Sequence, residues 1–177
     1  MNKNSNIGFI GLGHMGLPIF ENLKKEFSNI FCFDKDTSKM KNNNFSSSLN
    51  EIFENCKIII FCIESNEQII DIIKENIIKK NTIFIDLTSS LPNLTKKISS
   101  YLKKLESHYV DAGMSGGALG AKNGTLTLML GGNETICKKI NYILKTFAKN
   151  IFYLGKSGNG HMMKLLHNSV CHGIFLI

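Results

Sequence analysis

Arginine is absent from this chain: all 21 basic residues are lysine, and with 14 acidic residues the net charge is +7. A basic balance raises nucleic-acid binding as an option. The lysines, however, come as scattered pairs (24–25, 79–80, 96–97, 103–104, 138–139) rather than as one stripe. They read as solvated surface charge, often at helix ends where cations suit the helix dipole, and no specific nucleic-acid partner is expected. Paired cysteines are lacking too. Cys32, Cys56, Cys62, Cys137 and Cys171 lie far apart, without metal-ligand or redox spacing, and their odd number argues against a disulfide framework. The expectation is ordinary buried thiols, no metal site and a reduced, cytoplasmic setting. No apolar run is long enough to span a bilayer, the densest being "IIIFCI" at 58–63. The polar "MNKNSN" start does not read as a signal peptide. No internal repeat or low-complexity linker interrupts the 177 residues, of which 43% are hydrophobic and 20% charged, a globular balance.

What the chain does have is alternation. Apolar runs at 6–11, 30–34, 57–63, 82–87, 108–113, 125–132 and 151–155 read as strands. Helical patterns fall at 14–27, within 47–56, at 66–78, 91–105 (with Pro92 in its first turn) and 134–147. The cluster at 41–48 reads as a polar loop. Strands apolar along their length and separated by helices predict an α/β fold, a Rossmann-type doubly wound and mostly parallel sheet. The chain stops on "CHGIFLI", an apolar helical run without a cap. The expected organisation is a nucleotide-binding domain over 1–156, then the start of a long interdomain helix over 157–177. That helix would lead to a missing domain.

"GLGHMG" at 11–16 follows the first strand and opens the first helix. In such a Gly-x-Gly-x-x-Gly loop, Gly11 makes the tight turn. Gly13 lets the backbone approach a pyrophosphate over the helix N-terminus, and Gly16 allows close helix–strand packing. Asp34 ends the second strand, where a carboxylate accepts the adenosine ribose hydroxyls and repels a 2′-phosphate. With no arginine after Asp34, the reading favours NAD over NADP, although Lys35 and Lys39 partly offset that preference. His14 reads as an exposed first-turn residue.

A second glycine-rich run, "DAGMSGGALGAKNGTLTLMLGG" (111–132), also follows a strand. Ser115, Gly116 and Gly117 offer a hydroxyl and bare backbone N–H groups to an anion such as a carboxylate. Gly120, Gly124, Gly131 and Gly132 read as turn residues around a hairpin or crossover. Finally, "GKSGNGHMMKLLHNSV" (155–170) places Lys164, His167 and Asn168 on one helical stretch, Lys164 and Asn168 sharing a face.

The strings "IGFIGLGHMGLPIFENL", "DLTSSLP", the 111–132 run and "GKSGNGHMMKLLHN", in that order, resemble the β-hydroxyacid dehydrogenases. This is the family of 3-hydroxyisobutyrate dehydrogenase, related to 6-phosphogluconate dehydrogenase. The resemblance covers residues 6–177. It implies an NAD(P)-dependent oxidoreductase acting on a small β-hydroxy acid, with an all-helical second domain and a homo-oligomeric full-length protein. By the same resemblance the cofactor loop falls on Gly11, Leu12, Gly13, His14, Met15 and Gly16. Nicotinamide-side contacts fall near Ile63 and Ser89, and substrate contacts on Ser115, Gly116, Gly117, His167 and Asn168. Lys164 is the implied catalytic residue.

Oxidising an alcohol requires a base, and a lysine of ordinary pKa near ~10.4 is too weakly dissociated at neutral pH. Desolvation in a cleft and a place near a helix N-terminus would both lower it. Three positions depart from the family's pattern. Gly113 and Glu64 stand where proline is usual, and Cys171 stands where 6-phosphogluconate dehydrogenase has its glutamate acid. Gly113 and the His167–Asn168 pair look more like 6-phosphogluconate dehydrogenase, whereas Cys171 and the "DLTSSLP" stretch favour a hydroxyacid dehydrogenase over that alternative, a sugar-phosphate decarboxylating enzyme. A non-catalytic nucleotide-binding module is the other alternative; it would need neither Lys164 nor the Ser115 loop.

Overall fold

The structure is a computed structural model that describes residues 5–40, 45 and 47–175. Most of the polar loop expected at 41–48 therefore lies outside the described residues. Seven strands form one sheet: β1 (Ile7–Ile10), β2 (Ile30–Phe33), β3 (Ile58–Phe61), β4 (Ile83–Asp86), β5 (His108–Ser115), β6 (Leu126–Gly131) and β7 (Ala148–Tyr153). Their order is β2-β1-β3-β4-β5-β6-β7. Every pairing is parallel except β5–β6, where Asp111 lies opposite Gly131.

The helices are α1 (Gly16–Glu26), α2 (Leu49–Asn55), α3 (Asn66–Glu75), α4 (Pro92–Lys104), α5 (Gly117–Asn123), α6 (Glu134–Leu144) and α7 (Asn159–Phe175). Their starts are legible as chemistry. Ser48 and Glu51 form a reciprocal capping box on α2, and Asn133 accepts the Ile136 N–H at the start of α6. Pro92 opens α4, where a missing N–H costs nothing.

Strands β1, β3 and β4 are buried along their whole length because helices cover both faces. On one face Phe9, Ile60 and Ile85 pack with Ile19, Phe20 and Leu23 of α1 and Ile140 and Leu144 of α6. On the other, Ile59, Phe61 and Phe84 pack with Ile52 and Phe53 of α2, Ile69 and Ile73 of α3, and Ile98 and Leu102 of α4. Strands β1 and β3 are neighbours, but the chain leaves β1 for β2 on one side and returns to β3 on the other. Ligands in such sheets bind at the carboxyl ends of the strands where the winding reverses.

Three details differ from the sequence expectations. The run after Gly116 is not only turns: residues 117–123 form α5, closed by Gly124 in the left-handed conformation (φ 67°). Strand β5 runs on through Met114 and Ser115, and α6 ends at Leu144 so that β7 can begin at Ala148. Among the described residues no helix is long and apolar enough to cross a membrane.

Candidate active site

The glycine loop turns directly out of β1. Gly11 has φ 104°, and a Cβ there would overlap the Cys62 carbonyl and stand 2.7 Å from Ile63 Cγ2. A Cβ on Gly16 would overlap the Gly11 carbonyl oxygen, so this glycine is needed for close packing. At Gly13 a Cβ would meet nothing within 4 Å. The protein leaves that side of the loop open, as an approaching phosphate group requires.

Asp34 is nearly fully buried. Its Oδ2 accepts the Leu12 N–H at 2.6 Å, its Oδ1 accepts the Asp36 N–H at 2.9 Å, and Lys39 Nζ stands 3.7 Å from Oδ1. The carboxylate therefore braces the glycine loop as well as lining the cleft. Each oxygen keeps a second lone pair for an incoming hydroxyl. Leu12 itself is buried behind the loop and contributes its N–H to Asp34, not a wall of the cleft.

A cleft of about 670 Å³ opens at the winding reversal. Gly11, Gly13, His14, Met15 and Gly16 line it on one side, with Asp34 at one end and Thr88, Ser89 and Met114 at the other. Ile63 lies between, its N–H 3.4 Å from Thr88 Oγ1. The volume, the lining drawn from the carboxyl ends of β2, β1, β3, β4 and β5, and the bare glycine backbone fit a dinucleotide. Glu64, in the place of the usual proline, lines the rim and faces Lys35 at 3.8 Å. Both side chains are largely exposed, so the pair contributes little.

Beyond Met114 the residues expected to contact substrate gather where α7 crosses β5. A Cβ on Gly113 would stand 2.7 Å from Lys164 Cβ and 2.8 Å from the Gly160 carbonyl. A Cβ on Gly160 would stand 2.8 Å from the Asp111 carbonyl and 2.9 Å from the Gly131 nitrogen. Two bare glycines thus let α7 press onto the sheet and bring Lys164 over the end of β5. Ser115 Oγ lies 3.4 Å from His167 Nε2, and His167 reaches Cys171 Sγ at 3.8 Å. Gly116 (φ 124°) and Gly117 (φ 61°) are exposed beside them, and Asn168 is half-buried one turn after Lys164.

Lys164 is half-buried, and desolvation holds its pKa below the ordinary lysine value, against a smaller opposing effect of Cys171. Only one of the two expected causes is evident. Lys164 lies in the second turn of α7, which begins at Asn159, and the helix dipole fades beyond the first turn.

The sequence reading missed what seats this helix. Asp111, fully buried on β5, accepts the Gly158 N–H at 2.8 Å and the His161 N–H at 3.1 Å. It fills the N-terminus of α7 with a carboxylate. A second buried cluster centres on Asp86. Tyr109 and Asn66 donate to its Oδ2 at 2.5 and 3.1 Å, and the Thr88 N–H donates to Oδ1 at 2.8 Å. Burial pushes the Asp86 carboxyl up, while His161, Tyr109 and Thr88 work against that. The sequence signal for both was an aspartate inside an otherwise apolar strand.

Residues 6–155 match the family described as the NAD binding domain of 6-phosphogluconate dehydrogenase. The chain is 32% identical over 185 residues to 2-(hydroxymethyl)glutarate dehydrogenase of Eubacterium barkeri, covering 95% of this chain and 59% of that protein. It is 31% identical over 172 residues to the mitochondrial 3-hydroxyisobutyrate dehydrogenase of Drosophila melanogaster, covering 92% and 53%. The solved 3-hydroxyisobutyrate dehydrogenase of Mycobacterium tuberculosis, in a structure with L-serine, superposes with a TM-score of 0.89. That match has 24% identity and covers 94% of this chain and 60% of the other, so it speaks for the fold. The chain thus spans somewhat more than half the length of the relatives it matches. On the matched glycine loop, sheet and cleft, the chain belongs to the β-hydroxyacid dehydrogenase family through the NAD-binding domain of 6-phosphogluconate dehydrogenase.

Proposed function

We propose that the protein is an NAD(P)-dependent oxidoreductase for a small β-hydroxy acid, with NAD preferred. The observation that carries this reading is a desolvated lysine beside a dinucleotide-sized cleft: Lys164 packs over Gly113, next to Met114 of the cleft lining. A bound NAD(P) would supply hydride acceptance or return. The chain's own residues do the rest. The glycine loop and the α1 N-terminus hold the pyrophosphate. Asp34 takes the ribose hydroxyls and keeps out a 2′-phosphate. Lys164 takes the proton from the substrate hydroxyl, or returns it in reduction, and its depressed pKa increases the unprotonated fraction near neutrality. Ser115 and the N–H groups of Gly116 and Gly117 hold the substrate carboxylate, with His167 and Asn168 beside them. Cys171 stands where 6-phosphogluconate dehydrogenase has its glutamate acid, which disfavours the decarboxylating sugar-phosphate reaction.

In this reading residues 1–156 hold the cofactor, and α7 leads into a helical domain that completes the substrate cleft and supports homo-oligomer formation. The test is NADH formation from 3-hydroxyisobutyrate and related hydroxy acids, in a chain extended to its relatives' length, beside Lys164→Met. Turnover that the substitution abolishes supports the reading. Turnover that survives it removes Lys164 from the chemistry. No turnover, with cofactor bound, favours the non-catalytic nucleotide-binding module.

A further inference from the structure

His161 is buried at 1% exposure yet plays no part in the proposed proton transfer. Its ring bridges two sides of the molecule. Nδ1 lies 2.7 Å from Thr95 Oγ1 on α4, and its backbone N–H is held by Asp111. Nε2 is buried without any hydrogen-bond partner and lies 3.8 Å from Asp86 Oδ2. A buried ring nitrogen left unpaired costs free energy, and 3.8 Å exceeds a hydrogen bond by several tenths of an ångström.

Each end of that gap touches one half of the proposed site. Asp86 holds the Thr88 N–H, and Thr88 and Ser89 line the cofactor cleft at its nicotinamide end. His161 precedes Lys164 by three residues, almost one turn on the same helix. Neither Asp86 nor His161 reaches the cleft itself. Tyr109 and Asn66 donate to Asp86, Asp111 accepts from the His161 backbone, Cys62 lies near Asp86, and Ser90 backs Thr95.

We propose that His161 is a positioning residue: seating of the cofactor on Thr88 and Ser89 draws Asp86 against His161 Nε2, and this contact sets α7 and Lys164 in place. The inference rests on the NAD-binding reading above. A movement of less than ~1 Å closes the gap to hydrogen-bond length. His161 and Lys164 lie almost one turn apart on α7, so a shift of His161 is carried along the helix to Lys164.

Two measurements on the 177-residue chain test this without any turnover. The first is NMR of the wild-type histidine rings, assigned by substituting the other four histidines singly. Saturating NADH is expected to shift the His161 ring resonance although the ring lies outside the cleft. The second is amide hydrogen exchange over 159–166, with and without NADH, in the wild type and in His161→Phe, which keeps a ring of similar size. NADH is expected to slow exchange in the wild type by about fivefold or more, the low end of ordinary site-to-site coupling. His161→Phe is expected to bind NADH and lose most of that slowing. If its exchange rises by the same factor with and without NADH, the residue is merely structural and the proposal falls. A wild-type His161 resonance that ignores bound NADH overturns it whether or not the variant folds. Failure of the folded wild type to bind NADH overturns the cofactor reading and this inference together.

Discussion

Replacing Asp111 with alanine removes the carboxylate on which α7 is seated. The Gly158 and His161 N–H groups then lose acceptors at 2.8 and 3.1 Å in a buried site. Hydrogen bonds to a charged group are worth about 1.5–3 kcal/mol each, so the two together come to about 3–6 kcal/mol. Removing a buried carboxylate also relieves its own desolvation, which places the expected loss near the lower end, about 3 kcal/mol. For a chain of this size each kcal/mol lowers Tm by about 2–4 °C, so Tm falls by about 6–12 °C. Circular dichroism melts of the wild type, Asp111→Ala and Asp111→Asn measure it directly. Asn keeps one acceptor but turns an amide donor toward the second N–H, and should recover only part of the loss. A loss below about 1 kcal/mol in Asp111→Ala would show that water or a shifted helix replaces the carboxylate, and would refute the seating argument.

Three further outcomes are expected. Gly160→Ala drives a methyl against the backbone of β5 and β6, which cannot rotate away, and should cost about 1–3 kcal/mol or more in denaturant unfolding; a neutral effect would mean α7 is not pressed onto the sheet. Lys164→Met should be at least as stable as the wild type at pH 7, measured by urea unfolding. The folded-state pKa of Lys164 is lowered, so the folded chain binds that proton less tightly than the unfolded one. Wild-type stability should therefore rise, relative to the variant, as pH climbs from the lowered value toward ~10.4; a variant less stable at pH 7 by more than about 1 kcal/mol contradicts the desolvation. Ser115→Ala should raise KM for the hydroxy acid by about tenfold, about 1.4 kcal/mol, with little change in NADH affinity; an unchanged KM would remove Ser115 from the substrate site.

Much of the fold was written in local pattern. Runs such as "IIIF" and "IFID" have no alternation because helices cover both sheet faces, and that alone announces a buried parallel strand. The glycine loop was legible because its spacing is a demand of backbone geometry, most plainly the positive φ at Gly11. Helix α5 was hidden because three of its seven residues are Gly or Asn, poor helix formers that tertiary contacts with α1 override. The buried Asp111 and Asp86 clusters were hidden for another reason. Asp111 finds its partners in Gly158 and His161, and Asp86 its side-chain donors in Asn66 and Tyr109, far away along the chain. No spacing rule reaches that distance. Gly113 is the opposite case: the sequence shows the glycine, but only the crossing of α7 shows what it makes room for.

The most direct test is a fluorescence titration of this chain with NADH and with NADPH, beside Asp34→Ala. The account predicts saturable binding that is tighter for NADH. In Asp34→Ala, loss of the 2.6 Å bond to the Leu12 N–H should weaken NADH. The expected weakening is about 10–100-fold, and the preference over NADPH should disappear. A folded chain that binds neither nucleotide, or binds NADPH more tightly with Asp34 in place, would contradict it.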